Sequence, residues 1–274
     1  MNKIIYPQIV NVSEKVSSLV AKHNREKNEW LPLWIHSIDT CGVAELLLKE
    51  WLPVQAQKAI ADSLSDEDIT HVIRTAAILH DYGKATAAFQ TKIISDCAIL
   101  QLRLNASGLQ LLSRQDLALQ QHRSFSHASA GEALLIIAGA SLSFSEIIGA
   151  HHGVPWSEGS RLFHELQQDQ EQWADPRSIA LWGNRQQSDN WHMVQKEYLA
   201  RMEKVADCSS ISSLPSLSTR NAILITGLII MADWIASNEE YFPLIPLDSC
   251  SGKSFCTHCR KRTGKNERQR CMQS

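Results

Sequence analysis

The sequence lacks an uninterrupted apolar run of the length that a membrane-spanning helix requires. Its most hydrophobic segment, residues 222–236, is interrupted by Asp233 and is shorter than the roughly 20 residues that cross a bilayer. Residues 1–7 contain neither a long apolar core nor a small-residue cleavage site, so no signal peptide is predicted. Together these absences predict a cytoplasmic protein without a membrane partner.

Cysteine is present, but in a number and spacing that do not indicate a disulfide framework. The seven cysteines are odd in number and scattered through the chain, unlike the paired cysteines of small secreted domains. The sequence also shows no convincing β-hairpin signal and no internal repeat.

Charge is low overall and is distributed unevenly. The formal net charge is -2, yet residues 251–274 hold seven Lys and Arg residues against one acidic residue, Glu267. Since the whole chain has 27 basic and 29 acidic residues, residues 1–250 hold 20 and 28, a net charge of -8. The body is therefore not a general polyanion binder, and any nucleic acid must be held locally or delivered by a partner.

The sequence contains a succession of helical patterns instead. Helices are predicted over residues 10–21, 34–51, 69–80, 86–98, 126–139, 143–152 and 190–206, with one or two more within 100–121. Ser65 is the expected N-cap of the third helix, and Ser218 that of an apolar helix carrying Asp233. Residues 157–190, rich in Gln, Asp and Arg, are expected to form a variable excursion. The prediction is an all-α protein.

One stretch combines an apolar run with chemically active residues. His80 and Asp81 end the run, and Gly83 and Lys84 follow. Neighbouring side chains on a helix point about 100° apart, so His80 and Asp81 can converge only near a helix end, which Gly83 is expected to supply. An imidazole and a carboxylate that converge on one point suit a divalent metal.

Four other places carry metal-ligand residue types: His36, His127, the adjacent His151 and His152, and Asp233. Three of these places, and Lys84, have an ordinary explanation when taken alone. His36 could be a hydrogen-bonded core residue, His151 and His152 a surface turn, and Lys84 a solvated lysine. Asp233 could be a helix-packing carboxylate bonded to Trp34 or Ser37. Together with His127 these residues lie on separate helices, at helix ends or in apolar runs, which is how a metal site is built in a helical bundle.

The order His36, His80-Asp81, Asp233 resembles the H…HD…D pattern of the HD metallohydrolase superfamily. Three later motifs are similar to those of the HD nuclease domain of the CRISPR-associated nuclease-helicase of type I systems, and the likeness spans about residues 30–240. These motifs are Ser-His-Ala-Ser-Ala-Gly at 126–131, Gly-Ala-His-His-Gly at 149–153 and Met-Ala-Asp-Trp-Ile at 231–235. The resemblance implies an HD-domain helical bundle with a metal site at its centre.

The resemblance further implies two metal ions. The first would be held by His36, His80, Asp81 and Asp233. Asp81 would bridge to the second, which His127, His151 and His152 would complete. Two ions roughly 3.5–4 Å apart can activate a hydroxide and stabilise an in-line displacement at phosphorus. Imidazole-rich ligation favours Mn, Fe, Co or Ni over Mg. Asp81 and Lys84 are the expected catalytic residues, with Lys84 neutralising charge on the phosphate.

The family implies single-stranded DNA as substrate, with a helicase and a crRNA-guided surveillance complex as partners. Residues 1–250 are predicted to form the nuclease domain, and residues 251–274 a basic, disordered tail with no helicase domain. Gly252-Lys253-Ser254 lacks the first glycine and the preceding strand of a phosphate loop. A stand-alone subunit, a truncated product and an excised domain all remain open.

Three alternatives are set against this interpretation. A zinc site in the tail would use Cys256 and Cys259 with Cys250 and Cys271, but only one C-x₂-C pair is present. An HD phosphohydrolase acting on a nucleotide, such as a dNTPase or cyclic-nucleotide phosphodiesterase, would have the same first metal site. A degenerate HD module that only binds a partner would lack some ligands, whereas all seven are present.

Overall fold

The computed structural model describes residues 12–62, 64–119, 125–153, 158–168 and 175–247. The basic tail, with its zinc and disorder alternatives, lies outside these ranges, as does the boundary drawn at residue 250. The three described cysteines, Cys41, Cys97 and Cys208, are buried and unpaired.

The described part of the chain is mostly helical, which confirms the predicted fold class. Its α-helices are α1 (Glu14–Ser18), α2 (Leu33–Leu46), α3 (Val54–Ala61), α4 (Asp66–Leu79), α5 (Ala87–Ile93), α6 (Ala98–Ala106), α7 (Arg114–Leu119), α8 (His127–Ile137), α9 (Leu142–Gly149), α10 (Glu158–Gln168), α11 (Pro176–Trp182), α12 (Ser188–Ala206) and α13 (Thr219–Ala236). A π-helical turn, Leu47–Trp51, extends α2, and 3-10 turns occupy Tyr82–Lys84 and Ile211–Ser213.

Local capping explains where the two helices nearest the site begin. Ser65 Oγ accepts a hydrogen bond from the Asp68 amide at 3.0 Å, and acidic residues fill the first turn of α4. Ser218 and Asn221 form a reciprocal capping box at the start of α13. Both predicted caps are confirmed.

A small sheet is the main feature that the sequence interpretation missed. Strands β1 (Val20–Asn24) and β2 (Glu29–Pro32) form an antiparallel hairpin, and β3 (Ile245–Pro246) pairs with β2. The four-residue turn contains Asn28 with φ 54°, a left-handed conformation that Asn tolerates. The turn lacks an Asn-Gly or Asp-Gly pair, so the usual short-range hairpin signal is absent. The expected helix over 10–21 is accordingly wrong beyond Ser18, because the chain becomes a strand at Val20.

Residues 157–190 also differ from expectation. Where a variable excursion was expected, the described residues form α10, α11 and the start of α12. Leu162 and Leu166, four residues apart, are buried on one face of α10. The polar residues that suggested an excursion lie partly on the outer faces of these helices and partly in residues 169–174, outside the described ranges.

Five elements surround the point where the ligand-type residues meet. Helix α2 packs against α4 and α13, while α8 packs against α9, α10 and the 3-10 turn Tyr82–Lys84. Helix α12 lies against α4 and α2 but supplies none of the ligand-type residues. The site therefore lies between an α2–α4–α13 side and an α8–α9 side.

Helix α13 is long and apolar enough, by length and composition alone, to cross a membrane. It is the single helix of this kind in the described ranges, and the core helices of water-soluble proteins pass the same test. Here α13 packs against α2, α4 and α9 and carries Asp233 into the site. These contacts bury Ile225, Leu228 and Ile229, whereas Ile223 and Trp234 are exposed.

Candidate metal centre

Helix α4 ends where its two ligand-type residues begin. His80 is the C-cap of the helix, and Asp81 leaves the helical conformation with φ -98° and ψ 16°. This change of backbone direction brings His80 Nε2 to 3.3 Å from Asp81 Oδ2. The expected convergence of the two side chains at a helix end is therefore observed.

Gly83 contributes through close packing rather than through a left-handed helix end. It lies in the 3-10 turn and is not among the residues with positive φ. A Cβ atom at Gly83 would lie 1.8 Å from the carbonyl oxygen of His127 and 2.5 Å from the amide nitrogen of Gly131. The backbone of the turn thus rests directly on α8, and only glycine fits there.

Tyr82 fixes the same turn from the opposite side. Its hydroxyl donates to the Gln195 carbonyl at 3.1 Å, and its ring stacks on Tyr198 with centroids 5.9 Å apart. The Tyr198 hydroxyl lies 2.6 Å from Ser37 Oγ, next to His36 on α2. This chain of buried contacts connects the turn to the helix that supplies the next ligand.

Four ligand-type residues form the first cluster, and their ligand atoms lie within 4.8 Å of one another: His36, His80, Asp81 and Asp233. His36 Nε2 lies 3.2 Å from Asp81 Oδ2 and 3.1 Å from Asp233 Oδ1. His80 Nε2 lies 3.5 Å from the same Asp233 oxygen. Both histidines are fully buried, and Asp233 is 18% exposed.

Three histidines form the second cluster, with ligand atoms equally close: His127, His151 and His152. His127 and His152 face each other with 2.9 Å between their Nε2 atoms. His151 is buried, whereas His152 is exposed to solvent. The cluster is therefore shielded from solvent at His151 and open to solvent at His152.

Asp81 faces both clusters with different oxygen atoms. Its Oδ2 atom lies against His36 and His80, while its Oδ1 atom lies 3.3 Å from His127 Nε2 and 3.7 Å from His151 Nε2. One buried carboxylate therefore joins two groups of imidazoles, which α2, α8 and the ends of α4 and α9 supply.

The centre contains buried polar atoms that the protein itself does not satisfy. Within the described part of the chain, three imidazole nitrogens at the centre have no hydrogen-bond partner: His36 Nε2, His80 Nε2 and His151 Nε2. Unsatisfied buried polar atoms are costly, and three at one point call for a ligand. Ions held about 2.0–2.2 Å from nitrogen and oxygen ligands bring neighbouring ligand atoms to about 3–3.5 Å, which matches the observed contacts. The donor set fits divalent metal.

Backbone contacts fix the orientation of two of these imidazoles. His80 Nδ1 donates to the Ala77 carbonyl at 2.8 Å, and His151 Nδ1 donates to the Ile148 carbonyl at 2.6 Å. With Nδ1–H committed to a carbonyl, Nε2 is the atom that points into the centre, the usual second-shell arrangement of metal-ligating histidines.

Without metal, two of the three buried histidines, His80 and His151, have opposite electrostatic environments. Burial disfavours a charged His80, but the negative charges of Asp81 and Asp233 outweigh it and raise the pKa of His80 to about 10. Burial lowers the pKa of His151 to about 3, against the attraction of Asp81. Asp81 is buried and Asp233 is partly buried, yet Lys84 and His80 lower the pKa of Asp81, and His36 and His80 lower that of Asp233.

Lys84 belongs to the site and is not the solvated surface lysine of the ordinary explanation. Its Nζ atom lies 2.6 Å from Asp81 Oδ2, and its side chain is 12% exposed. The centroid of the Phe89 ring lies 5.6 Å from Lys84 Nζ, and the same ring makes an edge contact with His127. The ammonium thus lies at the edge of the first cluster.

The structure does not support the suggested bonding of Asp233 to Trp34 or Ser37. Ser37 Oγ is paired with Tyr198, and Asp233 Oδ1 instead accepts a hydrogen bond from Ser237 Oγ at 3.0 Å. Sequence reasoning missed Ser237, although its spacing of four residues on α13 is a signal that could have found it.

The geometry places all eight predicted site residues at one centre: His36, His80, Asp81, Lys84, His127, His151, His152 and Asp233. Comparisons with known proteins agree with the resemblance that the sequence motifs show. Residues 21–242 match the family described as Cas3, HD domain. The chain is 30% identical over 252 residues to the CRISPR-associated nuclease/helicase Cas3 of Streptococcus thermophilus, covering 85% of this chain and 26% of that protein.

Solved structures share the fold. A crystal structure of a CRISPR-associated protein matches 95% of this chain with a TM-score of 0.62 and 23% identity, over 28% of that chain. The crystal structure of T. fusca Cas3-ATP matches 90% with a TM-score of 0.61 and 24% identity, over 26% of that chain. The chain thus spans about a quarter of the length of these relatives. From the family match over most of its length, this chain belongs to the Cas3 HD-domain family.

Proposed function

We propose that this domain is a metal-dependent nuclease that cuts single-stranded DNA in CRISPR interference. The observation that carries the proposal is the position of Asp81, whose two carboxylate oxygens face two separate histidine clusters. A carboxylate shared in this way is the arrangement expected when two ions act on one phosphodiester.

We assign the ligands as the two clusters divide them. His36, His80, Asp81 and Asp233 would hold one ion, and His127, His151 and His152, with Asp81, would hold the other. When bound, two such ions supply an activated water and neutralise the charge of an in-line displacement at phosphorus. Five of the seven ligand residues are histidines, and this imidazole-rich set favours Mn, Fe, Co or Ni over Mg, which prefers oxygen ligands.

The residues of the chain would orient the substrate and exclude solvent from the centre. Lys84, which lies against Asp81 Oδ2, would contact a non-bridging phosphate oxygen and offset its charge as the phosphorus gains an oxygen. His127 and His152 form the open side of the centre, through which a flexible strand can approach. The buried His36, His80 and His151 exclude solvent from the opposite side.

The biological setting is also part of the proposal. The curated relative is named a nuclease/helicase, and this chain corresponds to a quarter of it. We infer that a helicase, joined to this domain or separate from it, feeds it single-stranded DNA after a crRNA-guided surveillance complex has opened the duplex. The reaction would take place in the cytoplasm.

The decisive experiment compares substrates on one metal-loaded preparation. Purified protein is reconstituted with Mn, Co, Ni, Fe or Mg and incubated with circular single-stranded DNA, with dNTPs and with cyclic nucleotides. We expect DNA cleavage with transition metals and none with the Asp81→Ala variant. Nucleotide turnover without DNA cleavage would instead assign a nucleotide phosphohydrolase, and failure to retain any metal would favour an inert binding module.

A further inference from the structure

A second lysine lies close to the centre, on the hairpin that the sequence did not reveal. Lys22 is on β1, at a bulge where Val20 pairs with Pro32 and Lys22 pairs with Leu31. Bulges redirect side chains and are frequent beside active sites. Ala21 is buried, whereas Lys22 is partly exposed.

Two polar side chains place Lys22 relative to the metal-ligand residues. Lys22 Nζ donates to the Ser237 carbonyl at 3.1 Å, and Ser237 Oγ in turn donates to Asp233 Oδ1. On the other side, buried Gln90 pairs with both the amide and the carbonyl of Val20 and also donates to the Lys84 carbonyl at 2.9 Å. Strand β1 is thus tied to the Lys84 turn and to the end of α13.

The Lys22 ammonium has no carboxylate of its own. Lys84 is paired with Asp81, and Lys27 on the same hairpin is paired with Glu239 at 2.7 Å. No ion pair joins Lys22 to any carboxylate in the part of the chain that the structure describes, and its one hydrogen bond leaves two N–H donors for a ligand. Burial lowers the pKa of Lys22, and so does the charge of Lys84, while Asp233 and Asp81 oppose them.

An ammonium that is partly buried beside a second ammonium is stabilised when an anion reaches it. The anion that this site would receive is the DNA backbone, so this step rests on the proposed nuclease function. We propose that Lys22 binds a backbone phosphate of the single strand on the Asp233 side of the centre, next to the phosphate that is cut. Lys22 and Lys84 would then hold neighbouring phosphates of one strand.

The test uses a DNA substrate and a small substrate in parallel. Single-stranded DNA has neighbouring phosphates, whereas bis(p-nitrophenyl) phosphate has a single phosphodiester and nothing for Lys22 to bind. For Mn-loaded Lys22→Met we expect the KM for single-stranded DNA to rise about tenfold, with kcat little changed, because uniform binding is lost. Hydrolysis of the small diester should stay at the wild-type rate.

Salt dependence provides a second readout. Removing one phosphate contact should reduce the slope of log(kcat/KM) against log[KCl] on single-stranded DNA by about 0.7. Lys22→Arg should retain the wild-type slope. Lys27→Met is the matched control, since it removes a lysine from the same hairpin whose charge is already paired, and it should leave KM unchanged.

Each outcome decides between distinct explanations. Equal KM and equal salt slope for Lys22→Met and wild type would overturn the phosphate contact. A loss of bound Mn or of thermal stability in Lys22→Met would overturn it too, and would show that Lys22 acts by holding Ser237 and Asp233. If the wild type cuts the small diester but not DNA, the proposed nuclease function fails instead.

Discussion

Lys84 Nζ lies 2.6 Å from Asp81 Oδ2, the same oxygen that faces His36 Nε2 and His80 Nε2. The lysine therefore adds positive charge to the carboxylate that we assign to both ions. A lysine that only balanced Asp81 would affect metal retention, whereas a lysine that contacts phosphate would affect turnover.

We expect Lys84→Ala to separate these roles. Turnover on single-stranded DNA should fall by about 10²-fold, the range for losing one group that stabilises transition-state charge. Metal content, measured by elemental analysis, should stay at the wild-type level. Lys92→Ala, on α5, is the control for loss of a lysine. An unchanged rate in Lys84→Ala would remove Lys84 from the mechanism.

Asp81→Ala should lose both metal ions and nearly all activity, because both clusters share that carboxylate. Asp233→Ala should lose the first ion and keep the second, since the imidazoles that Asp233 faces, His36 and His80, both belong to the first cluster. Metal-to-protein ratios after reconstitution and desalting distinguish the two variants. Asp68→Ala, at the start of α4, is the control and should bind as much metal as the wild type does. Equal metal loss in Asp81→Ala and Asp233→Ala would contradict the bridging assignment.

Metal binding should release a proton from His80. In the metal-free protein burial opposes its charge, yet Asp81 and Asp233 raise the pKa of His80 to about 10, so at neutral pH a metal must displace a proton from Nε2. Apparent affinity should increase about tenfold per pH unit between pH 6.5 and 8.5. His151, with a pKa lowered to about 3 mainly by burial, is already neutral and contributes none.

Calorimetric titrations in two buffers of different ionisation enthalpy measure this proton release, and absence of any release would show that His80 is already neutral. The raised pKa of His80 also makes the stability of the metal-free protein depend on pH. Because the pKa is higher in the folded protein, protonated His80 stabilises the fold fully below pH 6.5, and this stabilisation is lost as the pH rises through about 10. Thermal melts of metal-free protein over this range check that direction.

Gly83→Ala should disrupt the packing of the turn on α8. The added Cβ would lie 1.8 Å from the His127 carbonyl oxygen, so the turn or the helix must move. We expect a loss of about 3 kcal/mol in unfolding free energy, the upper range for overpacking. Gly227→Ala is the control, because no atom lies within 4 Å of its added Cβ. It lies within α13 and should gain about 0.5–1 kcal/mol from helix propensity. Chemical denaturation measures both, and a stable Gly83→Ala would contradict the packing.

The residues that meet at the centre could be predicted from the sequence because each lies in a short local pattern. His80 and Asp81 end an apolar helix, and Asp233 interrupts another, so each is conspicuous without knowledge of the fold. Gly83 was also singled out, but as a helix break. Its actual requirement, contact with the backbone of α8, depends on two elements more than 40 residues apart and has no local signal.

The residues that the sequence did not reveal are those whose roles arise from tertiary contact. Lys22 lies on a hairpin whose turn lacks the usual glycine, and Gln90 is an ordinary polar residue until it is buried between β1 and the Lys84 turn. Their importance comes from the small sheet, which β-branched and aromatic residues such as Val20 and Trp30 stabilise by burial. Helical periodicity predicts helices but does not identify what packs across their ends.

The contact of Gly83 with α8 also determines how the centre can adapt to ions of different radius. Since backbone meets backbone there, Asp81 and the helix that carries His127 cannot shift relative to each other by rotamer changes alone. Adjustment must come from a side chain with free space, and of the seven ligand-type residues His152 is the exposed one. Discrimination between, for example, Mn and Ni would then depend on the torsions of a single imidazole at the open edge.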